Sequence, residues 1–165
     1  HPRETVEKLA KHVVSAKSQG AAFVVITGGE PLHHDLSELC EAIRDQTITN
    51  KSESIPIHLE TSGVDQLSGH PDWITLSPKR HALPEKQLLT LCNELKIVVH
   101  EKEDLIFAEK MAKASQARSS KDRQPLLFLQ PGWNNATAEK LSFEHVKNNS
   151  QWRLSTQTHK WLGIL

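Results

Sequence analysis

The residues best suited to chemistry follow four short apolar runs of the chain. These runs end in the segments TGGEP (27–31), ETSG (60–63), SPK (77–79) and LQP (129–131). A strand that only needed to turn could end in any glycine, asparagine or proline. Glutamate, serine, lysine and glutamine at four successive ends instead predict a polar ligand that lies across one edge of a parallel sheet.

The segment 27–31 indicates which end of a ligand it would meet. Its paired glycines let a ligand approach the backbone without a Cβ in the way, and exposed carbonyls there can accept hydrogen bonds from an ammonium group. Glu30 adds negative charge, and the segment lacks the lysine that a phosphate-binding loop uses. The pattern therefore favours a cationic ligand end at this position.

Two further positions could hold other parts of the same ligand. His58 and Glu60 are two residues apart on a predicted strand and share one of its faces. If that face points into a barrel, Glu60 at the rim could bind ribose-like hydroxyl groups; if it points outward, Glu60 is a solvated strand end. Lys79 is the obvious partner for a carboxylate, although a lysine after a strand commonly just faces solvent.

The histidines and cysteines form no recognisable metal or nucleophile pattern. His33 and His34 are adjacent, so their side chains point apart, and we expect a surface pair instead of a metal site. Cys40 and Cys92 lie far apart, which favours a reducing compartment, and Cys40 falls on the apolar face of a predicted helix, where a core role is favoured. No Ser/His/Asp order indicates a catalytic triad, and no residue is assigned a catalytic role.

The elements that must position these residues alternate along the chain. Helical spacing of apolar residues ends at Gly20, and the continuous apolar run 23–26 is typical of a strand covered on both faces. Asp35 and Glu38 form a capping-box pattern for the next helix. Further along, the patterns predict strands at 55–59, 73–76, 94–99 and 125–129 and helices at 101–117 and 136–146. This alternation predicts an α/β fold with a mostly parallel sheet, a partial, modified (β/α) barrel in which the short spacer before Trp73 cannot hold a full helical crossover.

Length and charge narrow the class of protein. A chain of 165 residues is long enough for a sizeable core, and we expect residues 1–165 to form a single domain. Lys and Arg together number 20, as do Asp and Glu, which gives no support for a nucleic-acid or membrane partner. No apolar run approaches membrane-spanning length, and we expect a cytoplasmic protein.

The chain resembles the 7-carboxy-7-deazaguanine synthases, a family of radical S-adenosylmethionine (SAM) enzymes of queuosine and 7-deazapurine biosynthesis. The segments that carry the resemblance are, in order, VVITGGEPL, LETSG, WITLSPK, NELKIVV, FLQP and WRLSTQTHKWLGIL. They cover essentially the whole chain. The resemblance implies conversion of 6-carboxy-5,6,7,8-tetrahydropterin to 7-carboxy-7-deazaguanine with loss of ammonia. It also implies a 4Fe–4S cluster that cleaves SAM, assistance by Mg²⁺, a homodimer and an electron donor for the cluster.

The resemblance also implies roles for individual residues. The methionine part of SAM would be held by Gly28, Gly29, Glu30 and Pro31. Along the rim, the SAM site would include Glu60, Ser77, Lys79 and, as a weaker candidate, Gln130. The pterin would face Thr27 and Gly29, and it would bind His159 and the terminal carboxylate of Leu165.

The chain departs from the family at the cluster. The family's three closely spaced cysteines have no counterpart, since Cys40 and Cys92 match neither their position nor their spacing. We expect either the C-terminal portion of a family member, without its first strand and cluster loop, or a natural relative without a cluster. The start at His1 instead of a methionine favours the first, and in both cases we expect this chain to be inactive in radical chemistry. Two other interpretations stay open, namely another radical SAM enzyme such as a glycyl-radical activase and a non-catalytic binding protein.

Overall fold

The computed structural model describes residues 4–48, 54–117 and 124–163. The strands are β1 (Val24–Ile26), β2 (Ile57–Thr61), β3 (Trp73–Leu76), β4 (Glu94–Val99), β5 (Leu126–Pro131) and β6 (Trp152–Leu154). The helices are α1 (Val6–Ser18), α2 (Ser37–Thr47), α3 (Lys86–Leu91), α4 (Lys102–Gln116), α5 (Ala136–Asn148) and α6 (Thr158–Trp161), with a short 3₁₀ turn at Pro31–His33. Among the described residues, none of the helices has the length and apolar character needed to cross a membrane.

The six described strands form one open sheet in chain order, β1-β2-β3-β4-β5-β6, and all neighbouring pairs are parallel. Each strand pairs with its predecessor in the chain, so the connections all step across the sheet in one direction. Right-handed connections of this kind place their helices on the same face, as in a (β/α) barrel. The predicted α/β class with a parallel, incompletely closed sheet is confirmed. The connection from β2 to β3, residues 62–72, contains no helix, as its short length predicted.

The core lies between the sheet and its helices, because alternate residues of each strand point to opposite faces. The positions that face the helices are apolar and at most 5% exposed: Ile57, Leu59, Ile74, Leu76, Leu95, Ile97, Val99, Leu127, Leu129 and Trp152. The intervening positions are largely polar and only partly buried, among them His58, Glu60, Glu94, Lys96 and Gln130. The sheet therefore has one apolar face for the core and one polar face that is available for a ligand.

β1 does not fit the prediction of a strand covered on both faces. Val24 and Ile26 pack against the core, whereas Val25 is 40% exposed and the preceding Phe23 is 49% exposed. Phe23 lies on the polar face of the sheet, where its ring stacks on His58 at 4.4 Å between centroids. His58 in turn stacks on Trp73 at 5.9 Å. Half of the apolar run, Phe23 and Val25, thus lies on the partly exposed polar face and not in a second core, and Phe23 begins a row of stacked rings across the sheet.

The start of α2 also differs from the sequence pattern. The predicted capping box at α2 does not form in the described structure: Leu36 is the N-cap residue and makes no side-chain cap. The Asp35 carboxylate instead accepts a hydrogen bond from the Ser37 amide two residues on, at 2.9 Å. Aspartate often makes this local bond in a turn, and it competes with the capping geometry. A capping box does form at α4, between Glu101 and Asp104.

Candidate functional site

A cleft of about 360 Å³ opens at the carboxyl ends of the strands, on the polar face of the sheet. Its lining includes seven of the residues that the sequence assigned to a ligand site: Thr27, Gly29, Glu30, Glu60, Ser77, Lys79 and Gln130. The four polar segments that follow the apolar runs therefore meet at one edge of the sheet, because parallel strands deliver their carboxyl ends to the same side.

The other predicted site residues lie beside the cleft or beyond the described part of the chain. Gly28 adjoins two lining residues, and Pro31 is buried at the start of the 3₁₀ turn. His159 belongs to α6, but its side chain is outside the described part, and Leu165 lies outside the described residues. The pterin-binding roles of His159 and Leu165 therefore stay predictions.

The glycine turn after β1 leaves its backbone open to the cleft. Gly28 and Gly29 have φ angles of 93° and 57°, a region in which a side chain is strained. A Cβ built on either glycine would meet no atom within 4 Å. The glycines are thus required by the turn and not by crowding, and the space beside them can be filled by a ligand.

Glu30 joins the turn after β1 to the segment after β2. Its carboxylate accepts hydrogen bonds from the Thr61 and Ser62 hydroxyl groups, from the Ser62 amide at 2.8 Å and from the Leu32 amide at 3.2 Å. Burial tends to raise the pKa of Glu30, but the bonds from Ser62 and Thr61 outweigh it and hold the pKa below its ordinary value. Glu30 therefore stays ionised, positions two edges of the cleft and supplies negative charge beside the glycine turn.

Glu60 lines the cleft, so its face of β2 points toward the predicted ligand site, while its binding of ribose-like hydroxyls stays a prediction. Its carboxylate Oε1 lies 3.2 Å from Nζ of Lys96, across the intervening strand β3. The Glu60 side chain is 43% exposed, and that of Lys96 is 17% exposed. Glu60 is thus accessible to a ligand while it is held by a cation on the wall of the cleft.

Lys79 brings a second cation to the same cleft. It is half-buried, and its Nζ donates a hydrogen bond to Oγ of Ser77 at 3.3 Å. Burial and, secondarily, the positive charge of Lys96 lower the pKa of Lys79, against the opposing effect of Glu30. Within the described ranges, no carboxylate forms an ion pair with Lys79. An ammonium group in this setting favours an anionic partner from a ligand.

Three polar residues of the cleft were not assigned from the sequence. They are Thr61, Ser62 and Lys96, and a fourth lining residue that was not assigned is the apolar Val98. A signal for Lys96 was present, because a lysine in the apolar run ELKIVV alternates with two buried residues and must point away from the core. The sequence does not predict that Lys96 pairs with Glu60, because β4 and β2 are each paired with β3 and not with each other.

A second cavity of about 310 Å³ adjoins the cleft at Lys79. Arg80 anchors its wall, with Nε 2.9 Å from Oδ1 of Asp104 and a further ion pair to Glu101. Asp104 is buried and also accepts a hydrogen bond from the His100 amide at 2.8 Å. This network fixes the loop that carries Lys79 to the beginning of α4.

The cysteines and paired histidines lie apart from the cleft, as expected. Cys40 and Cys92 are each 2% exposed, and burial raises the pKa of both thiols, that of Cys92 to about 11. His33 and His34 are exposed, and Nδ1 of His33 contacts Asp65 at 2.5 Å. No group of three or more His, Cys, Asp or Glu side chains suitable for a metal ion occurs in the described part of the chain.

Several known proteins are similar to this chain in sequence or in fold, although no family model matches it. It is 56% identical to the 7-carboxy-7-deazaguanine synthase of Prochlorococcus marinus, with 100% of this chain and 78% of that protein covered. It is 44% identical to the 7-carboxy-7-deazaguanine synthase of Synechocystis sp., over 99% of this chain and 71% of that protein. The crystal structure of QueE from Escherichia coli is similar with a TM-score of 0.72 at 30% identity, covering 93% of this chain and 64% of that one.

Proposed function

Because the chain belongs to the family of 7-carboxy-7-deazaguanine synthases, radical SAM enzymes of queuosine biosynthesis, we propose that its cleft binds SAM and a pterin. The proposed reaction converts 6-carboxy-5,6,7,8-tetrahydropterin to 7-carboxy-7-deazaguanine with loss of ammonia, which makes the enzyme a lyase. The observation that supports it is the meeting of seven predicted ligand residues in one cleft. The names of the relatives favour this function over that of a glycyl-radical activase.

The residues of the cleft fit the methionine part of SAM. The open backbone at Gly28 and Gly29 can accept hydrogen bonds from its ammonium group, with the ionised Glu30 close by. Lys79 and Ser77 suit its carboxylate, because Lys79 has no carboxylate partner among the described residues. When bound, SAM supplies the deoxyadenosyl radical that begins the reaction in this family. The chain's own residues bind and orient it.

The remaining residues are assigned to the ribose hydroxyl groups of SAM and to the pterin. Glu60 and Gln130 face the cleft and suit ribose hydroxyls. Thr27 and Gly29 would face the pterin, together with His159 and the carboxylate of Leu165. We further propose a homodimer, assistance by Mg²⁺ and an electron donor, as the family implies.

The cysteines of this chain do not fit a 4Fe–4S cluster. Such a cluster needs closely spaced thiolates, whereas Cys40 lies on α2 and Cys92 follows α3, and both are buried. We propose that these 165 residues do not carry out the radical reaction unaided. The functions that they can supply are ligand binding and orientation.

Binding tests the proposed function directly. We expect the purified chain to bind S-adenosylhomocysteine and 6-carboxypterin in isothermal titration calorimetry. Lys79→Met should weaken S-adenosylhomocysteine by about tenfold, the typical value of one charge-assisted hydrogen bond. Lys140→Met, on the exposed face of α5, is the matched control and should change neither affinity. Absence of binding, or equal effects of the two substitutions, would contradict the function.

Anaerobic reconstitution with iron and sulfide tests the statement about the cluster. We expect the chain to show no visible absorbance of an iron–sulfur cluster, because neither buried thiol is available as a thiolate. Alkylation of the native chain should leave Cys92 unmodified, while alkylation after denaturation should modify it. A cluster that forms on the native chain, and is lost in Cys40→Ser or Cys92→Ser, would show that the proposal is wrong.

A further inference from the structure

We propose that Lys96 and Lys79 together bind one carboxylate group of the ligand, and that Glu60 occupies Lys96 until this carboxylate arrives. The inference rests on the proposed function, in which SAM and the pterin each carry a carboxylate. It assigns to Lys96 a ligand contact, and to Glu60 the part of an internal competitor.

The position of Lys96 on β4 is unusual for a lysine. Its neighbours Leu95 and Ile97 are buried in the core, and its own side chain crosses the opposite face of the sheet and is largely buried. The ammonium group of a largely buried lysine side chain is favoured by a partner that carries the opposite charge. Among the described residues, Glu60 is that partner, through a single hydrogen bond of 3.2 Å.

The ion pair between Lys96 and Glu60 is easily exchanged. Glu60 is partly exposed to the cleft, and a pair with one exposed partner contributes little to stability. The pair is not needed to join β2 and β4, because both strands are already paired with β3. Glu60 can therefore turn to a ligand hydroxyl without loss of the sheet.

The balance of charges in the cleft calls for one more carboxylate. Glu30 already accepts bonds from Thr61, Ser62 and Leu32, and among the ion pairs of the described residues it has none with either lysine. Glu60 pairs with Lys96 and not with Lys79, and the one hydrogen bond of the Lys79 ammonium group within the described ranges goes to the Ser77 hydroxyl. Lys79 and Lys96 line the same cleft and repel each other. A ligand carboxylate between the two ammonium groups removes this repulsion and gives each a partner.

Matched ligands that differ only in the carboxylate test the inference. One arm compares S-adenosylhomocysteine with its decarboxylated analogue, which keeps the ammonium group. The other arm compares 6-carboxypterin with pterin. In one arm, Lys96→Met should weaken the binding of the carboxylated ligand by about tenfold and leave the affinity for its decarboxylated counterpart unchanged. The arm that responds identifies which carboxylate the lysines bind.

Three variants complete the experiment, each with its melting temperature measured beside its affinity. Lys96→Arg should restore most of the affinity, since it keeps the charge. If the pterin arm responds, Glu60→Gln should raise the affinity for 6-carboxypterin severalfold, because the competing carboxylate is removed. This ligand has no ribose, so it loses no contact with Glu60. If the SAM arm responds, Glu60→Gln should raise the affinity for free methionine in the same way. Lys140→Met should change nothing.

Two patterns of results would overturn the inference. A Lys96→Met variant that weakens carboxylated and decarboxylated ligands equally, or neither, would show that Lys96 does not bind a carboxylate. If that variant does not fold, weaker binding of 6-carboxypterin and methionine by Glu60→Gln would exclude Glu60 as a competitor. If the unmodified chain binds the ligands and Lys96→Met binds them equally well, this inference is wrong but the proposed function is not. No binding by the unmodified chain contradicts the proposed function as well.

Discussion

Replacing Gly63 by alanine is expected to lower the free energy of unfolding by about 3 kcal/mol, from a strained backbone and an overpacked core together. Gly63 has a φ of 78°, and a Cβ there would lie 2.5 Å from Cδ1 of Leu76 and 3.0 Å from Cβ of Pro84. Leu76 is fully buried and cannot move aside without cost. Urea denaturation followed by circular dichroism measures the change.

Gly20→Ala is the matched control for this substitution. Gly20 also has a positive φ, 100°, but a Cβ there would meet no atom within 4 Å. It should therefore lose only the backbone contribution, about 1 kcal/mol. The difference between the two variants measures the clash with Leu76 and Pro84. Equal losses at both positions would mean that the close packing beneath Gly63 has been misassigned.

The substitution Glu30→Gln is expected to weaken S-adenosylhomocysteine by at least about tenfold and to lower the free energy of unfolding by about 2 kcal/mol. An amide keeps one acceptor oxygen but turns an NH₂ group toward donors of Ser62 or Thr61. The turn after β1 then separates from the segment after β2, and both edges of the cleft shift. Calorimetry and urea denaturation of the same preparation give the two values.

The pH dependence of this variant's stability distinguishes loss of the Glu30 charge from nonspecific destabilisation of the fold. The pKa of folded Glu30 lies below its ordinary value of 4.5, so its stabilising effect is complete above that value. It is lost as the pH falls through the lower pKa of the folded state. The difference in stability between the unmodified chain and Glu30→Gln should therefore be constant near neutrality and shrink below about pH 4.5. Glu41→Gln, on the exposed side of α2, is the matched control and should leave the affinity for S-adenosylhomocysteine unchanged.

Much of the fold was predictable because its signals are local. The apolar runs before TGGEP, ETSG and SPK and around ELKIVV each became a strand, and alternation of strands with helices gave the parallel sheet. The meeting of Glu30, Glu60 and Lys79 in one cleft followed from the same topology. The six-residue helix α3 escaped prediction, since a segment this short shows too few turns for helical periodicity.

The features that could not be predicted depend on contacts between distant segments. The four donors of Glu30 come partly from residues more than thirty positions away in the chain, and the pair of Glu60 with Lys96 crosses a whole strand. The exposure of Val25 depends on which elements cover the polar face, which a continuous apolar run does not reveal. Local patterns thus located the cleft, but not the contacts that set its charges.

The order of the strands has a consequence for how the chain reaches its folded state. Each strand pairs with its predecessor, so the sheet can grow strand by strand during synthesis, without a gap that waits for a later segment. The contacts among the ligand-binding residues form at different stages of this assembly. Glu30 meets Thr61 once β2 has joined, Glu60 meets Lys96 only after β4, and Gln130 arrives with β5. A ligand that spans the cleft therefore stabilises only chains in which five strands are already in place, and it favours complete sheets over partly assembled ones.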